Sequence, residues 1–209
     1  MQTHLNINEI FYSLQGESTF AGYPCIFIRL TGCNLRCSYC DTKHAFTEGK
    51  PMTITAILDA IKIYPCSLVE ITGGEPMLQD DVAELFAALH AANYKILLET
   101  NGSINLAEVP DFVYKIVDVK TPGSGVGDSF VTCNLKCLQT HDELKFVLTN
   151  YIDYRFALNF IELNQPKVKT IHFSPVTTLL EPETLAAWML EDGVNAMLSL
   201  QLHKLLGVR

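Results

Sequence analysis

Cys33, Cys37 and Cys40 lie within eight residues of a 209-residue chain, at the spacing C-x3-C-x2-C. Thiolates are soft ligands, and three on one short loop select an iron–sulfur cluster or zinc. A 4Fe–4S cluster held by three thiolates keeps one iron open for a substrate or cofactor, a catalytic arrangement, whereas structural sites close with a fourth Cys or His. His44, four residues past Cys40, is the candidate for closing a zinc site. Gly32 ahead of the loop suits a sharp bend. A second unusual stretch is Gly73-Gly74-Glu75-Pro76, where two residues without Cβ atoms let backbone approach another group closely.

The elements that must carry these loops follow from hydrophobic periodicity. Residues 26–31 read as a strand, and Ile54, Ile57, Leu58 and Ile61 mark a helix over 53–64 that Pro65 ends. A strand at 68–72 runs into the glycine loop, and Val82, Leu85, Phe86 and Leu89 give the buried face of a second helix. Residues 95–100 form a strand that stops at Asn101-Gly102, with no long helix after it. Strands follow at 114–119, 143–148 and 170–174, a loop at 120–125, helices at 154–163 and 182–191, and a last strand at 196–201. Strands alternating with helices imply parallel pairing, and ligands bind at the C-terminal ends of such strands. The cysteine loop, the glycine loop, residues 99–102, residues 118–120 and Ser174-Pro175 all fall at those ends. Six or so strands are too few for an eight-fold barrel. The expected fold is therefore α/β, a partial (β/α)6-type barrel with some helices shortened or missing.

Composition bounds the rest. With 48% hydrophobic and 18% charged residues the chain is expected to form one compact domain, 1–209. A formal net charge of −8 argues against a phosphate-gripping surface, so no direct nucleic-acid partner is expected. Seven cysteines do not make a paired disulfide framework, and no targeting segment opens the chain, which points to a reducing cytoplasm. No apolar run approaches the roughly 20 residues that a membrane span needs. Cys133-Asn134-Leu135-Lys136-Cys137 echoes Cys33 to Cys37, but a second cluster would need a further thiolate from Cys25 or Cys66, both in apolar segments. Core packing is the expectation for this echo.

The cysteine loop with Tyr39 before its last thiol, followed by Gly73-Gly74-Glu75-Pro76, resembles the radical S-adenosylmethionine superfamily. A narrower likeness spans almost the whole chain. Phe11 to Glu17, Cys40-Asp41-Thr42, Thr72, residues 99–102, residues 118–122 and Gln201-Leu202-His203-Lys204 resemble the 7-carboxy-7-deazaguanine synthase family. That resemblance implies ring contraction of 6-carboxy-5,6,7,8-tetrahydropterin to 7-carboxy-7-deazaguanine with release of ammonia, on the route to queuosine and other 7-deazapurines. It implies one 4Fe–4S cluster on Cys33, Cys37 and Cys40, S-adenosylmethionine and Mg2+, a flavodoxin or ferredoxin as electron donor, and a homodimer. The closest rival is a glycyl-radical-enzyme activase, which shares the cysteine loop; a non-catalytic iron–sulfur or zinc module is the rival from another class.

Residue roles come with the same resemblance. S-adenosylmethionine falls to Ser38, Tyr39, Gly73, Gly74, Glu75, Glu99, Asp118, Val119, Lys120, Ser174 and Pro175. Substrate falls to Gln15, Glu17, Arg29 and Thr72, to the backbone at Leu14 and Gly16, and to the Arg209 carboxylate of a returning tail. Gln15 and Glu17 offer amide and carboxylate partners for a pterin edge, and Arg29 a planar fork for the substrate carboxylate. Thr42 is the expected Mg2+ ligand, with Asp41 acting through water or capping the loop. On this reading 1–24 is an N-terminal hairpin that helps to bind substrate, 25–201 the partial barrel and 202–209 the tail near the active site.

Overall fold

The computed structural model describes residues 3–208. Its first strand, β1 (His4–Leu14), alternates exposed His4 and Asn6 with buried Leu5 and Ile7, the period-2 pattern of a half-buried strand. It turns through residues 15–23 into β2 (Pro24–Leu30), which pairs with it antiparallel. The expected N-terminal hairpin is thus part of the main sheet. On its other side β1 pairs with β3 (Lys50–Thr53), an edge strand that the apolar periodicity did not announce. Pro51 in β3 lacks an N–H to donate, which an edge position tolerates.

Thr53 then caps α1 (Ile54–Ile61), its hydroxyl accepting from the Ala56 N–H at 3.1 Å. Successive parallel strands follow: β4 (Leu68–Gly73), β5 (Lys95–Thr100), β6 (Val113–Asp118), β7 (Glu143–Leu148), β8 (Thr170–Pro175) and the two-residue β9 (Met197–Leu198). Between them lie α2 (Val82–Ala91), α3 (Tyr151–Asn164) and α4 (Pro182–Glu191), and α5 (Leu202–Leu206) closes the described chain. The connections from β5 to β6 and from β6 to β7 hold no α-helix, as expected for a barrel with missing helices. The result is one open nine-stranded sheet, order β3-β1-β2-β4-β5-β6-β7-β8-β9, parallel from β2 onward. The last strand is shorter than the 196–201 expected from sequence. Among the described residues no helix is long and apolar enough to cross a membrane.

Alternation along each strand gives the sheet two unlike faces. Val69, Ile71, Ile96, Leu98, Val117, Leu144, Phe146 and Phe173 join the helices in the main core. Each such side chain contributes about 1.5–3 kcal/mol on burial. On the other face Phe11, Cys25, Phe27, Leu68, Leu97 and Ile116 form a second apolar cluster. Two residues beyond Phe27, Leu68, Leu97 and Ile116 stand Arg29, Glu70, Glu99 and Asp118, with Lys145 on the neighbouring β7, so the inner face changes from apolar to charged toward the strands' C-terminal ends.

The cysteine echo is structural. Asn134 is fully buried and donates to the Gly102 and Ile104 carbonyls at 3.0 and 2.8 Å while accepting from the Leu106 N–H at 2.9 Å. Cys137 packs against the core and Cys133 is exposed.

Candidate active site

A cavity of about 620 Å3 opens at the C-terminal ends of the parallel strands. Cys33, Cys37 and Cys40 line it together with Ser38, Tyr39, Asp41, Thr42, Gly73, Gly74, Asp118, Lys120, Ser174, Pro175 and Glu17. Residues called from five separate stretches of sequence therefore meet in one place. Three soft thiols in the lining of one cavity are the donor chemistry of an iron–sulfur cluster. His44 does not join them, for its Nε2 lies 3.6 Å from Glu9 on β1.

Backbone packing fixes the cysteine loop. The Glu75 N–H donates to the Gly32 carbonyl at 2.7 Å and the Gly74 N–H to the Leu30 carbonyl at 3.2 Å. A Cβ on Gly74 would collide with that Gly32 carbonyl, so the glycine loop lies backbone to backbone against the cysteine loop. Glu75 itself does not line the cavity. It is fully buried, and it accepts from the Asn101 N–H at 2.7 Å, Thr100 Oγ1 at 2.8 Å and the Met77 N–H at 3.0 Å, which ties the β4 and β5 ends together. Burial raises its carboxyl pKa against the pull of those donors. Ser38 donates to the Gly123 carbonyl at 2.8 Å and so anchors the loop to residues 120–125.

At the β6 end, Lys120 Nζ pairs with Asp118 Oδ2 at 2.6 Å and lies 5.9 Å from the centre of the Tyr39 ring. Asp118 Oδ1 and the Tyr39 hydroxyl are buried without a partner. Such orphaned atoms on a cavity wall are places for a ligand's polar groups. Val119 turns into the core instead and contributes its N–H to the Lys145 carbonyl at 2.8 Å.

Beneath lies a layer of charge. Lys145, which sequence reading passed over, contacts Glu17 Oε2 at 2.8 Å and also Glu99 Oε1, with Asp118 Oδ2 at 4.0 Å. Burial works against the charge on Glu17, yet the Lys145 ammonium and hydrogen bonds from Lys145 and Gln201 hold its carboxyl down at about 2. Burial pushes Glu70 well above the usual carboxylate range, and the nearby Glu99 and Glu17 carboxylates push the same way. Two charged residues inside strands, Glu70 and Lys145, were the signal for this layer, because a fully structural strand interior would be apolar.

The expected substrate residues divide. Glu17 reaches the cavity; Gln15 is buried, its amide donating to Glu70 and accepting from the Glu17 N–H at 3.0 Å, and it does not line the cavity. Thr72 donates to Glu99 at 3.4 Å. Arg29 Nε pairs with Glu9 Oε1 at 2.8 Å, the strand pairing expected of an ordinary arginine; it is not part of the cavity lining, though Glu99 and Glu70 are near enough to favour its charge. Leu14 lies at the β1 end and Gly16 in the turn, outside the cavity lining; the Gly16 carbonyl accepts from the Leu202 N–H at 2.9 Å. Any Cβ on Gly16 would collide with the His203 ring. Arg209 lies outside the described residues.

Thr42 Oγ1 donates to Asp41 Oδ1 at 3.0 Å, and Lys204 Nζ reaches Asp41 Oδ2 at 2.6 Å. Burial opposes the charge on Asp41, but Lys204 and Thr42 outweigh it and bring its carboxyl to about 2. Hydroxyl and carboxylate oxygens on a cavity wall are the donor chemistry of Mg2+. Besides Lys145, the cavity takes in Asn101, Gln201, Lys204 and the 176–179 turn, which sequence reading had not assigned to the site.

Residues 27–121 match the family described as the radical SAM superfamily. A 7-carboxy-7-deazaguanine synthase from Koribacter versatilis is 45% identical, the match covering 96% of this chain and 96% of that protein. One from Chlorobaculum tepidum is 42% identical, over 96% of this chain and 93% of that protein. The crystal structure of QueE from Escherichia coli superposes with a TM-score of 0.81 at 25% identity, covering 96% of this chain and 95% of that one. The fold is shared more distantly with Streptococcus suis SuiB bound to S-adenosylmethionine, at a TM-score of 0.54 and 16% identity over 80% of this chain and 44% of that one. Near-complete coverage at such identity leaves no part of the barrel or of the cysteine cavity unaccounted for. The chain is an enzyme of the radical S-adenosylmethionine superfamily and belongs to the 7-carboxy-7-deazaguanine synthase family.

Proposed function

We propose that this enzyme contracts the ring of 6-carboxy-5,6,7,8-tetrahydropterin to 7-carboxy-7-deazaguanine and releases ammonia, in the biosynthesis of queuosine and related 7-deazapurines. The observation that carries the reading is the single cavity in which three cysteine thiols face the unpartnered Asp118 Oδ1 and the Glu17–Lys145 pair. Cys33, Cys37 and Cys40 would hold a 4Fe–4S cluster through their thiolates. When bound, cluster and S-adenosylmethionine supply a hydrogen-abstracting radical, and Mg2+ supplies counter-charge for the substrate carboxylate. Asp118 Oδ1 is free to accept from an ammonium or N–H of the cofactor, and Lys120 keeps the carboxylate turned to do so. Ser38, Tyr39, Gly73, Gly74, Ser174 and Pro175 form the wall on which the cofactor rests. Glu75 and Val119 act behind that wall by fixing its loops.

Glu17 accepts N–H groups along the pterin edge, with Gln15 accepting from its backbone N–H, while Thr72 serves the substrate and Glu99, to which Thr72 donates, serves S-adenosylmethionine. Arg29 keeps guanidinium donors for the substrate carboxylate, and Thr42 supplies the protein oxygen for Mg2+. The protein's own contribution is placement of C6 against the radical and exclusion of other hydrogen donors. A flavodoxin or ferredoxin supplies the electron, the working form is a homodimer, and the compartment is the cytoplasm. The test is anaerobic: reconstituted protein given dithionite, S-adenosylmethionine, Mg2+ and the tetrahydropterin yields 7-carboxy-7-deazaguanine and ammonia, followed by mass spectrometry. Iron-loaded enzyme that cleaves S-adenosylmethionine yet forms no such product would overturn the reading.

A further inference from the structure

The catalytic reading gives the buried, cavity-lining Lys145 no task. Lys145 sits in the middle of β7, is 5% exposed, and still lines the cavity. Sheet register sets it beside Asp118 on β6 and His172 on β8. Every element around it presents a titratable or charged group: Glu17 from the 15–23 turn, Glu99 from β5, Asp118 from β6, Glu70 from β4, Arg29 from β2 and Glu143 from β7 itself. Most are otherwise engaged. His172 Nε2 is 2.7 Å from Glu143, Lys120 pairs with Asp118, and Arg29 pairs with Glu9. His203 lies close enough to Glu17 to favour its charge, but more weakly than Lys145 does. Lys145 is accordingly the cation shared by Glu17 and Glu99.

We infer that Lys145 is a positioning residue: anchored on Glu99, it holds Glu17 as a carboxylate at the cavity wall, and so sets the pH range over which substrate binds. The inference rests on the proposed reaction, since it assigns Glu17 the N–H edge of the pterin. The physical reason is the dielectric. Burial favours the neutral form of an acid, and in the same layer it raises the Glu70 carboxyl even though Lys145 pulls the other way. A protonated Glu17 loses acceptor capacity on the side that the substrate needs. Lys145 itself does not act as a base or nucleophile, because the Glu17 and Glu99 carboxylates keep its ammonium charged despite burial. A salt bridge that served folding alone would have no reason to line the cavity.

The experiment compares the reconstituted holoenzyme with Lys145→Met and Lys145→Arg, measuring KM and kcat for the tetrahydropterin from about pH 6 to about pH 8.5, with iron content and melting temperature recorded for each. Wild-type and Lys145→Arg KM values should stay flat. For Lys145→Met, KM should climb as pH falls, by about tenfold for each pH unit below the new Glu17 pKa, with kcat changed less. A flat profile in well-loaded, folded Lys145→Met overturns the inference, as does a Lys145→Arg profile that follows Met. Should Lys145→Met fail to fold, Glu17→Gln decides: it mimics protonated Glu17, so its KM should be raised to the same extent at every pH, and an unchanged KM overturns the inference. Wild-type enzyme that makes no product at all would count against the proposed reaction instead, and that result precedes any comparison of variants.

Discussion

Glu70 shows how a single side chain ties stability to the site. It occupies a strand position whose neighbours Val69 and Ile71 face the apolar core, while it faces Glu17 and Glu99. Burial and those two carboxylates raise its folded-state pKa above the unfolded value, so the native state binds an extra proton in the window between the two. Stability is therefore fully present below the ordinary glutamate range and is lost as pH rises through the folded pKa. Glu70→Gln copies the neutral form and keeps an oxygen for the Gln15 amide. Urea midpoints measured across pH should show the variant losing less stability than wild type on going alkaline; identical slopes would refute a protonated Glu70. Cys33, Cys37 and Cys40 were legible from sequence because their spacing is itself chemistry. The charges of Glu70 and Lys145 stood out inside their strands, but the layer they form did not, since an apolar run hides which face of the strand a charge occupies until its partners on other strands are known.

Elements rather than residues carry the cysteine loop. Asn150 caps α3 by accepting from the Ile152 and Asp153 N–H groups at 2.8 and 3.1 Å, which starts the helix three residues before its apolar periodicity does. In that first turn Asp153 is fully buried, accepting from the Gly123 N–H and the Thr149 N–H at 2.7 and 2.8 Å. The Gly123 carbonyl in turn accepts from Ser38, between Cys37 and Cys40. Helix start, loop and cysteine loop thus form one chain of hydrogen bonds. Asp153→Ala strands buried donors, at a cost of about 2–4 kcal/mol, or a melting temperature lower by roughly 5–15 °C. The same variant should retain less iron after reconstitution. A lowered melting temperature with full iron content would show that the helix supports the fold and not the loop. Helices and parallel strands were readable in outline because their periods differ; β3 was not, since four residues with a proline owe their strand to pairing with β1 and to nothing local.

At the scale of the molecule, an open sheet leaves its first hairpin and its last strands to be joined by something other than sheet hydrogen bonds. The segment after β9 does this. The Leu202 N–H reaches the Gly16 carbonyl at 2.9 Å, Gln201 Nε2 reaches Glu17 Oε1 at 2.7 Å, and Lys204 reaches Asp41 at 2.6 Å. In sequence, Gln201 to Lys204 is only a stretch that carries the family resemblance, and the folded chain shows that it clasps the hairpin and the cysteine loop at once. Leu202→Pro separates the clasp from the helix that bears it. Proline is tolerated at the first position of α5, and Gln201, at φ −77 and ψ 88, already has backbone suited to precede one. The substitution removes one donor and leaves α5 intact. Hydrogen exchange followed by mass spectrometry should then speed up in the 15–23 turn while β4, β5 and β6 exchange as before. Faster exchange throughout those central strands would mean that the segment supports the entire fold; unchanged exchange in the turn would mean that the hairpin holds its shape without it.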